Sequence, residues 1–283
     1  MMRKLEFWAY AVVLLYFILE YATVDLEGPR RSAPTYPEAH QPAPAIMLPD
    51  GAPLPISRED VVEVELKKEI YNSVGTAFAV DGVGTYVTAR HVVDGCKGVY
   101  FINTAQRLEK VASFKSQSNR DFAVIKAHRA KVRYLPIVTR RPQRGDEGYM
   151  MGYPQGKPAD VRATVIGRTQ MRSSGRYRMR EPVIAWVERE RRPGSAGSLG
   201  GISGGPVINS EGNVVGTVVA GAPRRGRIYT TDPRVFAETR LTKNIRGELP
   251  VHFKEGVSKK NYARWGKYLR ETNTISQVYC KAK

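Results

Sequence analysis

A chain of 283 residues that is 42% hydrophobic and 25% charged has globular composition, which excludes a wholly disordered protein. A single early apolar run, with no second, excludes a multi-span membrane protein. The excess of 45 Lys and Arg over 27 Asp and Glu gives a net charge of +18. That charge is unevenly placed: residues 1–57 carry four basic and six acidic side chains, so residues 58–283 carry +20. A folded body of that charge attracts anionic partners, whether an anionic membrane surface, an acidic polymer or nucleic acid.

In chain order, the first segment is Phe7–Leu19, uninterrupted by charge and preceded by Arg3 and Lys4. Thirteen apolar residues suit a signal peptide, and the longer Leu5–Leu26 reaches membrane-spanning length, roughly 20 residues. Glu20 stands where a cleavage site wants a small residue, which favours a signal anchor over residues 1–27, with a cleaved signal as the alternative. Basic residues before the run and acids after it orient the remainder outside the cytoplasm, in the periplasm if the source is bacterial. Residues 28–57 hold eight prolines and no apolar periodicity, the composition of an extended tether.

From about residue 58 to 240 the pattern is short β runs separated by turn signals. Gly75–Val80 and Thr85–Ala89 flank Asp81-Gly82, a hairpin signal. Val99–Ile102, Phe122–Lys126, Tyr134–Val138, Gly148–Gly152, Val161–Gly167, Val183–Val187, Pro206–Ile208 and Val214–Ala220 follow. Such a series without helical periodicity predicts an all-β barrel or sandwich. The segment 241–283 is basic and contains one amphipathic helix, expected over Ser258–Thr272. Cys96 and Cys280 are two residues whose parity permits one disulfide; two free thiols is the other reading.

The sharpest local signal is Gly200-Gly201-Ile202-Ser203-Gly204-Gly205-Pro206, just before the apolar Val207-Ile208. A serine hydroxyl attacks only when a base takes its proton and hydrogen-bond donors hold the resulting oxyanion. Glycines around Ser203 allow a sharp turn in which the N–H groups of Gly201 and Ser203 converge as those donors. Of four histidines, His40 lies in the tether, and His128 and His252 lie in basic, turn-like stretches. His91 ends the strand Thr85–Ala89 and is the candidate base. Asp121, opening the apolar Phe122-Ala-Val-Ile, is the candidate carboxylate that orients the imidazole; Asp94 lies too close behind His91. No cluster of ligand types suggests a metal or cofactor, and none is expected.

Thr88-Ala89-Arg90-His91-Val92-Val93, Asn119-Arg120-Asp121-Phe122-Ala123-Val124 and Gly201-Ile202-Ser203-Gly204-Gly205-Pro206 together resemble the three signature segments of chymotrypsin-fold serine peptidases. They stand in the order His, Asp, Ser, with separations of 30 and 82 residues. Val215–Gly221 resembles the strand that lines the primary specificity pocket, and the likeness covers roughly residues 70–222. Gly152-Tyr-Pro-Gln-Gly156 and the compact spacing resemble the high-temperature-requirement (HtrA-like) branch of bacterial envelope proteases. That branch usually adds a PDZ domain, for which the 80 residues after Ser203 are too few. Digestive members carry an Asp before the nucleophile that captures a newly cut N-terminus; here Ile202 stands there, so that switch cannot operate.

The resemblance implies two six-stranded antiparallel β-barrels, about 58–140 and 141–240, with a C-terminal helix beyond and the site between the barrels. It implies a serine endopeptidase acting on protein or peptide by acyl transfer to Ser203. The specificity pocket would have Gly197 at its base and Val219, Ala220 and Gly221 in its walls. None is acidic, so a small or medium apolar side chain is expected there rather than Lys or Arg. Residues Pro193–Gly200, with three Gly and two Ser, form either a loop ordered by substrate or one pinned by its neighbours. Two other readings compete: an idle protease fold serving as a basic binding module, and a viral polyprotein-processing protease.

Overall fold

Alternation of apolar and polar residues builds fourteen strands among the residues that the computed structural model describes, namely 61–128, 131–194, 197–222, 226–241 and 250–282. The expected membrane segment and proline-rich tether lie outside these residues. Among the described residues no helix is long and apolar enough to cross a membrane.

The first half contains β1 (Val62–Leu66), β2 (Ser73–Ala79), β3 (Thr85–Thr88), the one-turn helix α1 (Arg90–Val93), β4 (Gly98–Ile102), β5 (Leu108–Lys110), β6 (Ser113–Ser116) and β7 (Ala123–Lys126). The second contains β8 (Glu147–Gly152), β9 (Ala159–Gly175), β10 (Met179–Arg192), β11 (Pro206–Ile208), β12 (Val214–Ala222) and β13 (Arg227–Thr231). Helix α2 (Arg234–Glu238), helix α3 (Tyr262–Glu271) and the last strand, β14 (Ile275–Lys281), complete the chain.

Two sheets result, with little intervening helix, as expected of an all-β chymotrypsin-like fold. In one, the order β9-β10-β13-β12-β11-β8 is closed by pairing of β8 with β9, giving a six-stranded barrel, and β1 adds to β9 in parallel. Met150, Val161, Ile184, Trp186, Val207 and Ile228 fill it; Trp186 is fully buried and its indole N–H donates to Thr230 Oγ1 at 2.9 Å. The other sheet is seven-stranded and antiparallel, β5-β4-β14-β2-β3-β7-β6, packed on Phe101, Tyr86, Ile125 and Val278.

Three features depart from the sequence reading. β14, from the C-terminal segment read as helix alone, runs between β2 and β4 in the middle of the first sheet, raising its strands to seven. β1, expected with the first barrel, pairs instead with Met171–Gly175 of the second. Tyr134–Val138 makes only two isolated bridges, to Pro250 and Val214, and is not a strand. All three follow from long-range pairing, which local alternation does not encode.

The predicted helix forms, shortened to α3, and buries Tyr262, Gly266 and Leu269. Arg270 next to its end pairs in a bidentate manner with the buried Asp160 of β9, at 2.6 and 2.9 Å, and so fixes the helix on the second barrel. Cys96 and Cys280 are disulfide-bonded, their Cα atoms 5.5 Å apart across 184 residues of sequence. The bond ties the segment just after α1 to β14. Replacing both cysteines by serine is expected to lower stability by about 2–4 kcal/mol, because the unfolded chain gains loop freedom. Urea unfolding measures it, and an unchanged midpoint would contradict the expectation.

Candidate active site

Strand β3 delivers the backbone to the cleft, and Ala89, in extended conformation, turns it into α1. This turn points His91 at Asp121. Nδ1 of His91 lies 2.6 Å from Asp121 Oδ2, and the His91 backbone N–H donates to Oδ1 at 2.9 Å. Both oxygens of Asp121 are therefore occupied by one residue, which fixes the imidazole plane as well as its distance. Asp121 is 2% exposed, whereas the His91 side chain keeps 20% of its surface open. Burial alone would raise the Asp121 pKa; the His91 charge and hydrogen bonds, with that of Tyr177, bring it below the usual carboxylate value. A buried carboxylate held ionised in this way suits the orienting role. The neighbouring Asp94 pairs with Arg90 at 3.4 Å, and His128 and His252 are exposed.

Two further groups, Tyr177 and Glu181, fix Asp121, and the sequence marks neither of them. They come from the long hairpin β9–β10, whose strands run 17 and 14 residues. Tyr177, at its tip, donates its hydroxyl to Asp121 Oδ1 at 3.3 Å. The Arg90 guanidinium stacks 3.7 Å from the Tyr177 ring centroid and donates to the Ser118 carbonyl at 2.9 Å. Glu181, on β10 and 1% exposed, accepts the Asp121 backbone N–H at 2.9 Å. Burial, then the negative charge of Asp121, pushes the Glu181 pKa up to about 8. The neutral acid accepts that N–H through its carbonyl oxygen without setting a second charge beside Asp121.

Ser203 comes from the other barrel and is docked against the strand end that leads to His91. Thr76 of β2 links the two. Its backbone N–H donates to the Ser203 carbonyl at 2.9 Å, its carbonyl accepts the Thr88 hydroxyl at 2.7 Å, and its own hydroxyl donates to the Gly201 carbonyl at 2.8 Å. Gly204 shows how close the approach is: a Cβ there would lie 2.1 Å from the Thr76 carbonyl oxygen and 2.2 Å from Thr88 Oγ1. With φ of 86° as well, only glycine fits directly after Ser203. Among the described residues, the N–H groups of Gly201 and Ser203 donate to no protein acceptor, which leaves both available to an oxyanion.

The pocket residues are less tightly gathered. Gly197 is exposed, its Cβ direction opens on empty space, and its carbonyl accepts a hydrogen bond from Arg191. On β12 Gly221 is exposed and Ala220 is half-buried against the core, while the Val219 side chain is buried in the core with Tyr229 and Val183. Val219 therefore offers backbone rather than side chain to a pocket wall. Residues 195–196 lie outside the described residues, while Leu199 is anchored in the core and its carbonyl accepts the Ile202 N–H at 3.0 Å. Among the described residues no three His, Cys, Asp or Glu side chains gather as a metal-ligand set.

Comparison with known proteins agrees with this architecture. The Rv3671c protease of M. tuberculosis in its active form superposes with a TM-score of 0.50 at 16% identity, covering 71% of this chain and 96% of that one. The serine endoprotease of Yersinia pestis gives 0.41 at 18% identity, covering 63% of this chain and 65% of the other. The MamO protease domain of Magnetospirillum magneticum gives 0.44 at 18%, covering 59% and 94%. No curated protein matches the sequence. The profile of the trypsin-like peptidase domain matches residues 75–216, half of the chain and the stretch that carries His91, Asp121 and Ser203. The chain belongs to the trypsin-like peptidase family.

Proposed function

We propose that this protein is a serine endopeptidase in which His91 serves as base and then acid, Asp121 orients it, and Ser203 is the nucleophile. The observation that carries the reading is the 2.6 Å bond from His91 Nδ1 to the buried Asp121, with the Ser203 loop locked against the same strand end. In the reaction, the Ser203 hydroxyl loses its proton to His91 as Oγ bonds to the substrate carbonyl carbon. The oxyanion so formed is held by the N–H groups of Gly201 and Ser203. His91 returns the proton to the leaving amine, the C–N bond breaks, and an acyl-enzyme remains. Water, deprotonated by His91, then releases the acid and restores Ser203.

The substrate is a peptide or protein with a small or medium apolar residue before the scissile bond. Gly197 brings no side chain to the pocket base, its carbonyl faces Arg191, and Ala220 and Gly221 are neutral. A buried substrate cation would find no counter-charge there. A peptide-library cleavage profile, run beside Ser203→Ala, tests this. Cleavage after apolar residues that is lost in the variant is the expected result; a profile dominated by Lys or Arg contradicts the pocket.

The remaining expectations complete the reading. The apolar run at 7–19 and the proline-rich tether favour a peptidase domain anchored outside the cytoplasm, in the manner of the HtrA-like branch. The +20 body is suited to docking on an anionic membrane surface or acidic polymer, with attraction that weakens as salt rises.

A further inference from the structure

Because Ile202 replaces the acidic residue that digestive relatives use to set the oxyanion loop, something else must hold that loop in this chain. Ile202 is 2% exposed and packs in the second barrel's core. The turn Tyr153-Pro154-Gln155-Gly156 lies against the loop instead. The Gly200 carbonyl accepts two hydrogen bonds from one residue, from the Gln155 backbone N–H at 2.6 Å and from Gln155 Nε2 at 3.2 Å. In a trans peptide the C=O and the following N–H point in opposite directions. Whatever holds the Gly200 carbonyl therefore also aims the Gly201 N–H. Next along the chain, the Gly201 carbonyl accepts from the Thr76 hydroxyl at 2.8 Å, and that hydroxyl accepts the Tyr153 N–H at 3.1 Å. Both ends of the Gly201 unit are thus tied to one turn and one strand.

The backbone at this turn is itself unusual. Gln155 has φ of 53° and ψ of 27°, the left-handed region that favours glycine, and Gly156 follows with φ of 75°. That conformation is what lets the main-chain and side-chain donors of Gln155 converge on one oxygen. Gly201, with φ of 104°, completes the geometry on the receiving side.

We propose that Gln155 is a positioning residue, a built-in latch that holds the Gly200 carbonyl turned away and so keeps the Gly201 N–H aimed at the reacting centre. The latch rests on the reading of Ser203 as nucleophile, and it removes the need for a newly formed N-terminus to order the oxyanion hole. Its effect falls on transition-state binding, because the Gly201 N–H matters most when the oxyanion forms.

Gln155→Met, unbranched and close in size, keeps the backbone N–H but lacks the side-chain donor, and tests this on the purified peptidase. Four quantities are read: kcat, KM, the melting temperature and the affinity of a peptide boronic acid that forms an oxyanion-like adduct. The latch predicts a fall in kcat of about tenfold, an equal loss of boronate affinity, and KM within about twofold of wild type. If Gln155→Met does not fold, Gln155→Asn, which suits the left-handed backbone and shortens the amide's reach, carries the same test. Wild-type values for both kcat and boronate affinity overturn the latch. So does a fall in kcat that tracks a lower melting temperature while boronate affinity is retained. Boronate binding by wild type and its loss in Ser203→Ala check the nucleophile separately, so failure of the latch is distinct from failure of the mechanism.

Discussion

Replacing Ser203 by alanine is expected to remove peptide hydrolysis by a factor on the order of 10⁴ or more while leaving the fold intact. The hydroxyl is the only group lost. The features that fix the loop belong to the backbone of Ser203 and to Thr76, Gly204 and Gln155, and all persist in the variant. His91→Ala is expected to lose a similar factor, and the double variant little more, because the two act as a unit. Asp121→Asn keeps an acceptor toward His91 but favours the wrong tautomer, so a large loss is expected there also. Steady-state turnover on a cleavable peptide, with circular dichroism to verify folding, measures all of these. Wild-type turnover in Ser203→Ala contradicts the assignment.

The second large effect concerns stability rather than rate, and it centres on Glu181. Its folded pKa, about 8, lies above the ordinary 4.5, so the folded protein keeps a proton that the unfolded chain releases. The contribution of Glu181 to stability is therefore fully present below pH 4.5 and is lost as pH rises toward about 8. Burial is the dominant cause, followed by the negative charge of Asp121, while Arg120, whose charge acts the other way, is engaged with Glu238 at 3.0 Å. By pH 7 the loss is roughly 3 kcal/mol, taking 1.4 kcal/mol per pH unit. Glu181→Gln keeps a carbonyl oxygen for the Asp121 N–H and cannot ionise, so its stability is expected to be much flatter with pH. Urea midpoints of both proteins at pH 5 and pH 8 decide the matter. Parallel pH dependence in the two would show that Glu181 is not the titrating group.

The parts of this site that sequence made legible are those written in short contiguous stretches. Glycines around Ser203, a histidine closing an alternating strand and an aspartate opening another each carry a local signal. The strands they sit on formed within a residue or two of expectation, β2, β3, β7 and β11 among them. What was hidden is what depends on distant pairing. Nothing around Tyr177 or Glu181 marks them as neighbours of Asp121, because they reach it only through a hairpin far longer than its apolar centre. That centre, Val161–Gly167 and Val183–Val187, carries a local signal; the Arg-rich extensions beyond it have the composition of a solvated surface. β14 lacks a local signal for a related reason. Its seven residues follow a helix and precede the chain's end, and only its pairing with β2 and β4 shows it to be central. Cys280 was the one available hint, since a bond to Cys96 requires β14 to lie beside the first sheet.

The central claim is that Ser203 is a nucleophile activated by His91, and reaction with a fluorophosphonate tests it most directly. Such a reagent phosphonylates no ordinary serine; it needs a deprotonating base and an oxyanion hole together. Treated protein should carry one phosphonyl group, mapped by mass spectrometry to the peptide containing Ser203, and His91→Ala should carry none. Folded wild-type protein that stays unmodified, or Ser203→Ala that is modified as fully as wild type, would contradict the account.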